Sequence, residues 1–154
     1  MISTCASHLP VAVVAAWDDL TLDDVEAMRK FYSRCHATGL RFISVVDARR
    51  CNAPAAPIRR ALADMTNAFE PEVRGRSIGT AVILDSAVLI GVLTALRWFI
   101  KGNSGELRYF PSAREAVVWA EAQLKAEHLS VPVAGRALVT RLDGAVDLGF
   151  VNDG

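Results

Sequence analysis

Two aspartates stand at positions where α/β proteins commonly carry their chemistry. Asp47 closes the apolar stretch 41–47, and Asp85 follows the apolar stretch 78–84. If both stretches are parallel strands, the two carboxylates lie at the carboxyl edge of one sheet, where open α/β folds bind ligands. Together they could hold a metal ion or act as general acid and base. Alternatively, each caps the segment that follows it. We favour this second interpretation because the sequence shows no third ligand.

The loop after the first of these aspartates contains groups that bind anions. It carries Arg49, Arg50 and Asn52, and it leads into a predicted helix that carries Arg59 and Arg60. Helix N-termini attract anions, and guanidinium groups form strong hydrogen bonds with phosphate. The stretch could therefore contact a phosphate or a nucleotide. The favoured alternative is an arginine face that is simply solvated.

The other reactive residues do not form a recognisable site. The three histidines lie far apart on different predicted elements, and none has a second ligand at metal-binding spacing; they are His8, His36 and His128. The sequence contains no glycine-rich phosphate loop and no G-x-S-x-G nucleophile motif. We therefore expect no enzymatic activity, no metal site and no cofactor.

Composition narrows the class of protein further. The 154 residues suffice for one domain with one core, and 52% of them are hydrophobic, as in a globular α/β protein. Lys+Arg and Asp+Glu number 17 each, so no overall field attracts nucleic acid or an anionic membrane. The three cysteines form no paired framework, which favours a reducing, cytoplasmic compartment; they are Cys5, Cys35 and Cys51.

Apolar periodicity predicts strands that alternate with helices. The predicted strands are 11–17, 41–47, 78–84 and 106–110, and the predicted helices are 22–37, 57–70, 86–100 and 112–128. This alternation predicts a mainly parallel sheet of four to five strands flanked by helices, within one α/β domain over residues 1–128. Residues 129–154 form a separate tail. Leu142-Asp143-Gly144 could turn a β-hairpin there, or the tail could be loose.

The predicted helix 86–100 is apolar on both sides. With successive residues 100° apart, one arc faces the sheet and contains Val88, Leu89, Val92, Leu93, Ala95, Leu96, Phe99 and Ile100. The opposite arc has a single charge and is predicted to be an interaction surface, made by Ser86, Ala87, Ile90, Gly91, Thr94, Arg97 and Trp98. A partner protein or the chain's own tail could cover this arc. The helix is too short to cross a bilayer, which requires about 20 residues.

Three segments in this order resemble a known family. They are "FISVVDARRCNAPAAPIRRALADM", "GTAVILDSAVLIGVLTALRWF" and "LRYFPSAREAVVWAEAQL". They resemble the SpoIIAA-like branch of the bacterial STAS/SEC14-type domains, over roughly residues 9–127. The resemblance implies a four- or five-stranded sheet and a role without catalysis. The family's usual first strand, before residue 11, is not evident in this sequence.

The resemblance implies a regulatory or scaffolding module that acts through protein contacts, and we expect a homodimer. Classical members switch by phosphorylation of a Ser or Thr at the start of the second helix, but residues 52–56 contain no hydroxyl. The alternative function is a carrier of a small apolar ligand or lipid, because SEC14-type relatives hold apolar molecules. An enzyme that uses Asp47 and Asp85 is the third alternative.

Overall fold

The structure is a computed structural model that describes residues 1–73, 75–97 and 105–143. Within these residues one five-stranded sheet forms the centre of the fold. Its strands are β1 (Ile2–Cys5), β2 (Val11–Asp18), β3 (Phe42–Cys51), β4 (Ser77–Ile83) and β5 (Glu106–Phe110). They lie side by side in chain order. β2 to β5 are parallel, and β1 pairs antiparallel with β2. The predicted mainly parallel sheet is confirmed.

β1 supplies the strand that seemed to be missing before residue 11. It has four residues, "ISTC", and two of them carry hydroxyl side chains, so it gives little apolar periodicity. Pairing with β2 nevertheless buries Ser3 and Thr4. β1 is not evident in the sequence because its pairing partner, and not its local sequence, stabilises it.

Five helices cover the sheet within the described ranges. They are α1 (Leu22–Ala37), α2 (Ala56–Val73), α3 (Ala87–Arg97), α4 (Ala113–Ala126) and α5 (Val133–Arg141). α1 begins with a capping box: the Asp24 N–H donates to Thr21 Oγ1 at 3.2 Å, and the Thr21 N–H donates to Asp24 Oδ2 at 2.9 Å. α2 continues through Pro71 to Val73, beyond the approximate predicted range 57–70.

The helices form layers on both faces of the sheet. α1 to α3 are the crossovers between parallel strands and lie over one face, where α1 packs on Ala12 and Val14. α4 and α5 lie over the other face and pack on Val11 and Val13. Because both faces of β2 are covered, its sequence is continuously apolar and does not alternate with polar residues.

The predicted C-terminal hairpin is wrong in the part that the structure describes. Residues 133–141 form α5, and Leu138, Val139 and Leu142 are buried in the core cluster that contains α4. These residues recur at i, i+1 and i+4, which is helical spacing. This helical burial against α4 outweighs the turn preference of the Asp-Gly pair. Gly144 and the residues after it lie outside the described residues.

No helix in the described ranges has both the length and the apolarity needed to span a membrane.

A candidate binding cavity between the sheet and helices α1 to α3

A cavity of about 250 Å³ lies between the sheet and helices α1 to α3. Its floor is the sheet, and its walls include Met28 from α1, Leu62 and Met65 from α2, and Leu89 and Leu93 from α3. Most of the lining is apolar. Such concave sites, apolar with a few polar groups, are the usual form of small-molecule pockets.

Short side chains on this face of the sheet leave the space unfilled. The residues of one row pair across four strands, from Val14 through Val46 and Val82 to Tyr109. Small side chains on the same face also line the cavity, and they are Ala16, Ser44, Ala48 and Thr80. Because these side chains are short, the helices cannot reach the sheet everywhere, and a gap remains under them.

Few polar groups reach this space. The hydroxyls of Tyr32 and Ser44 are hydrogen-bonded to each other, and burial raises the pKa of Tyr32 to about 12, so this phenol is neutral near pH 7. The Thr66 hydroxyl donates to the carbonyl oxygen of Leu62 at 2.9 Å. The Tyr109 hydroxyl is buried and has no hydrogen-bond partner among the described residues. None of the described lining residues is Lys, Arg, Asp or Glu.

The two aspartates with which the sequence analysis began have different surroundings. Asp47 does not end a strand, because β3 continues to Cys51. Its side chain is occupied by Arg49, whose Nε and Nη2 donate to the two carboxylate oxygens at 3.0 and 2.8 Å. Asp85 is exposed, two residues beyond the end of β4. The prediction that Asp47 stands at a strand end is therefore wrong.

The predicted anion-binding residues mostly have partners inside the chain. Arg49 also contacts Asp143 at 2.8 Å. Asn52 Nδ2 donates to Asp19 Oδ1 at 3.0 Å, and Arg59 Nη1 donates to the carbonyl oxygen of Pro54 at 2.8 Å. These bonds reduce the number of donors available for an external phosphate, and an anion contact at this loop remains a prediction.

Metal binding has no evident location in this part of the chain. No three His, Cys, Asp or Glu side chains of the described ranges are grouped so that they could hold an ion. The three histidines lie on separate segments. His36 is buried against Phe42 and Phe69, with ring centroids 5.2 and 5.4 Å apart, and lines the cavity.

The predicted interaction surface on α3 is only partly as expected. Ala87, Gly91 and Thr94 are exposed. Ile90 packs against the cluster that includes Leu89, so the prediction that it faces outward is wrong. Val88 was expected to face the sheet but is 72% exposed. The helix is therefore rotated relative to the prediction, as periodicity cannot orient a helix that is apolar all round.

Two further candidates on this surface lie outside what the structure describes. The Arg97 side chain and the whole of Trp98 belong to that part of the chain. Contact with a partner through the exposed face of α3 remains a prediction.

The residues that line the cavity were not predicted as a site. The signal in the sequence is that two short polar residues, Ser44 and Thr80, stand within the apolar stretches of β3 and β4 and line the cavity. Small polar residues inside a buried strand often mark a place where something other than the core must fit.

Comparisons with known proteins agree with this architecture. No protein-family model and no curated protein sequence matches the chain. Among solved structures, it is similar to an uncharacterized protein from the DUF3478 family with a SpoIIAA-like fold, from Shewanella loihica PV-4. That match has a TM-score of 0.58 and 17% identity, and it covers 78% of this chain and 92% of the other.

A second structural match is an anti-sigma factor antagonist from Mycobacterium paratuberculosis. Its TM-score is 0.49 and its identity 16%, over 78% of this chain and 94% of the other. The five strands and covering helices described above, together with the Shewanella match, identify the architecture of this chain. It has the SpoIIAA-like α/β fold that its sequence resembles.

Proposed function

We propose that this protein is a non-enzymatic binding module that holds a small apolar molecule in the cavity between the sheet and helices α1 to α3. The observation that supports this proposal is the cavity itself, with its volume of about 250 Å³ and its mainly apolar lining. The occupied carboxylate of Asp47 and the exposed position of Asp85 favour binding over catalysis.

The packing around the cavity supports its use. Protein interiors are packed densely and contain few voids larger than a water molecule. An apolar molecule in this space contacts lining side chains that otherwise lack neighbours there, and a ligand that binds only the folded state stabilises it.

The volume also limits the size of the ligand. A cavity of about 150 Å³ holds benzene, whereas pockets for drug-sized ligands measure about 300–1,000 Å³. The 250 Å³ found here lies between these values. We therefore expect a molecule of one or two rings, or a short alkyl chain. A lipid with two long acyl chains exceeds this volume. The carrier hypothesis drawn from the SEC14-type resemblance is therefore proposed here for a smaller ligand.

The proposal can be tested by filling the cavity. Ala48 lines the cavity, and Ala48→Phe places a phenyl ring where the ligand would lie. Ala68→Phe is the matched control, because Ala68 is exposed on α2. Ligand-observed NMR with ethylbenzene should detect binding to the wild type and the control, and no binding to a folded Ala48→Phe variant. Equal binding by both variants, or none by the wild type, would refute the proposal.

A second candidate function is contact with another protein, and first with a second copy of this chain. It is favoured by the exposed face of α3, which is uncharged within the described residues and includes Val88 at 72% exposure beside Ala87, Gly91, Thr94 and Ala95. An apolar surface next to small residues permits close helix approach. Measurement of the mass in solution tests this candidate, as argued in the Discussion.

A further inference from the structure

Thr80 is the residue of the cavity floor from which this inference starts. It lies within β4 and lines the cavity. It pairs with Ser44 of β3 on one side and with Leu107 of β5 on the other. The next residue, Ala81, points to the opposite face of the sheet and is buried in the cluster that contains α4. Because strands flank Thr80 and a helix lies behind it, the accessible surface of this half-buried residue opens into the cavity.

The hydroxyl oxygen of Thr80 is itself part of that accessible surface. Among the described residues, the enclosed side-chain oxygens that lack a partner are those of Ser3 and Tyr109. Thr80 is not one of them, and its hydroxyl makes no hydrogen bond to a described residue. A hydroxyl that is neither bonded nor enclosed by protein is open to solvent, and at Thr80 the open side is the cavity.

The other hydroxyls of the lining are in different situations. Tyr32 and Ser44 are bonded to each other, and Thr66 donates to the backbone of its own helix. Ser77 is the first residue of β4 and lies at the end of the strand. Thr80 therefore presents, from within a strand of the floor, a hydroxyl whose hydrogen bond is available to a molecule in the cavity.

We infer that the ligand is an apolar molecule that carries one hydrogen-bond acceptor, such as a ketone oxygen, and that the Thr80 hydroxyl donates to this acceptor. The inference rests on the proposed function. When a ligand displaces water from the cavity, the Thr80 hydroxyl loses its hydrogen bond unless the ligand replaces it. A purely apolar ligand leaves the hydroxyl unsatisfied, which is unfavourable, whereas a ligand with an acceptor above β4 restores the bond.

The neighbours of Thr80 determine where the acceptor lies. Ser44 stands beside it on the next strand, about 4.8 Å away, but the Ser44 hydroxyl is already bonded to Tyr32. Leu107, on the other side, has no polar side-chain atom. The next row of the floor along β4 is apolar at Val82. The ligand oxygen therefore lies over Thr80, and the hydrocarbon part extends over the adjoining row.

Two probes with the same carbon skeleton test this inference, and they are ethylbenzene and acetophenone. They differ by the carbonyl oxygen, and each is titrated against the protein by ligand-observed NMR. The measured quantity is the affinity for acetophenone relative to that for ethylbenzene, because the two probes also differ in hydration. Thr80→Val removes the hydroxyl and keeps the shape of the side chain. This variant should lower the relative affinity about three- to tenfold, since the carbonyl loses its donor.

Two further variants separate the hydroxyl from other effects of the substitution. Thr66→Val is the matched control, because it makes the same change in the same cavity at a hydroxyl that already has a backbone partner. Its relative affinity should stay within about twofold of the wild type. Thr80→Ser keeps a hydroxyl and should also keep the relative affinity. If Thr80→Val leaves the relative affinity unchanged, or if Thr66→Val lowers it equally, the inference is wrong.

The melting temperature supplies an independent readout without ligand. Thr80→Val should leave the melting temperature unchanged or raise it, because no hydrogen bond within the protein is lost and valine is favoured in strands. A clear fall in melting temperature, or a variant that does not fold, means that the protein itself satisfies the hydroxyl. Either result overturns the inference.

The proposed function and this inference fail in distinguishable ways. If neither probe binds the wild type, both fail. If ethylbenzene binds and Ala48→Phe prevents its binding, the proposed function stands. In that case the absence of acetophenone binding to the wild type, or an unchanged relative affinity in Thr80→Val, overturns only the assignment of Thr80 as the donor.

Discussion

Arg49 and Asp143 join strand β3 to the end of helix α5: Nη1 of Arg49 lies 2.8 Å from Oδ1 of Asp143. The same guanidinium donates from Nη2 to the carbonyl oxygen of Leu142 at 2.8 Å. Asp143 also accepts hydrogen bonds from the N–H groups of Ala113 and Arg114 at 2.8 and 3.1 Å. One carboxylate thus links β3, the N-terminus of α4 and the C-terminal turn of α5.

Removal of this carboxylate should loosen all three elements together. Asp143→Ala deletes an acceptor at the positive end of α4 and a partner of Arg49, and charged hydrogen bonds of this kind contribute about 1.5–3 kcal/mol. Because Asp143 is about one-third exposed, we expect a loss of about 1–2 kcal/mol in the free energy of unfolding. Urea denaturation measures it. Asp64→Ala, at an exposed position on α2, is the control and should change the midpoint little.

The same carboxylate should make stability depend on pH in the acid range. Burial opposes ionisation of Asp143, but hydrogen bonds from Ala113, Arg114 and Arg49 outweigh it and lower the pKa below its ordinary value of 3.8. A lowered folded-state pKa means that the folded protein binds fewer protons than the unfolded chain. The stabilisation is therefore complete above pH 3.8 and is lost as the pH falls below it.

Urea midpoints at pH 6, 5, 4 and 3 test this dependence. The wild type should be nearly constant between pH 6 and 5 and should lose stability steeply between pH 4 and 3. Asp143→Ala should fall less steeply over that last interval, because it lacks the shifted carboxyl. A parallel fall in both proteins would show that Asp143 does not contribute to the acid transition, which would then belong to other carboxyls such as Asp24, whose pKa is also lowered.

Local signals determined which elements the sequence predicted well. α1 was predicted as 22–37, and the structure has Leu22–Ala37. Thr21 and Asp24 fix its start by hydrogen bonds three residues apart, and Gly39 has a φ of 72° just after its end. Such interactions depend only on nearby residues, so one sequence is enough to recognise them.

The errors concern features that depend on distant residues. β1 exists because it pairs with β2, and the rotation of α3 follows from its packing on Val82 and Leu84. The cavity exists because the side chains of four strands fill less than the volume enclosed beneath three helices. No single segment contains that information, so periodicity could not identify a lining residue such as Tyr109.

A close approach between β4, β5 and α4 leads to a prediction about glycine. A Cβ at Gly79 would lie 2.8 Å from the backbone oxygen of Glu106 and 2.9 Å from the ring of Trp119. The backbone cannot yield easily, and Trp119 is buried. Gly79→Ala should therefore destabilise the protein by about 1–3 kcal/mol through overpacking.

Gly91→Ala is the matched control for this substitution. A Cβ at Gly91 meets nothing within 4 Å among the described residues, and the position lies inside α3. Alanine is favoured over glycine in a helix by about 0.5–1 kcal/mol, so this variant should be more stable than the wild type. Thermal melts of both variants should move in opposite directions. Equal shifts would show that the contact around Gly79 relaxes freely.

The exposed face of α3 gives the last prediction, which concerns association. If Val88 lies in a contact between two copies of the chain, Val88→Glu should dissociate the dimer and leave the monomer folded, since the carboxylate is then in water. An interface hot spot contributes about 2 kcal/mol or more, so its loss raises the dissociation constant of the dimer roughly thirtyfold. Analytical ultracentrifugation over the micromolar range measures the change, and a thermal melt reports the fold.

Val118→Glu is the control, because Val118 is similarly exposed, at 59%, on α4 over the opposite face of the sheet. A wild type that is monomeric throughout this range would exclude the dimer. Equal dissociation by both variants would show that added charge, and not the face of α3, causes the effect.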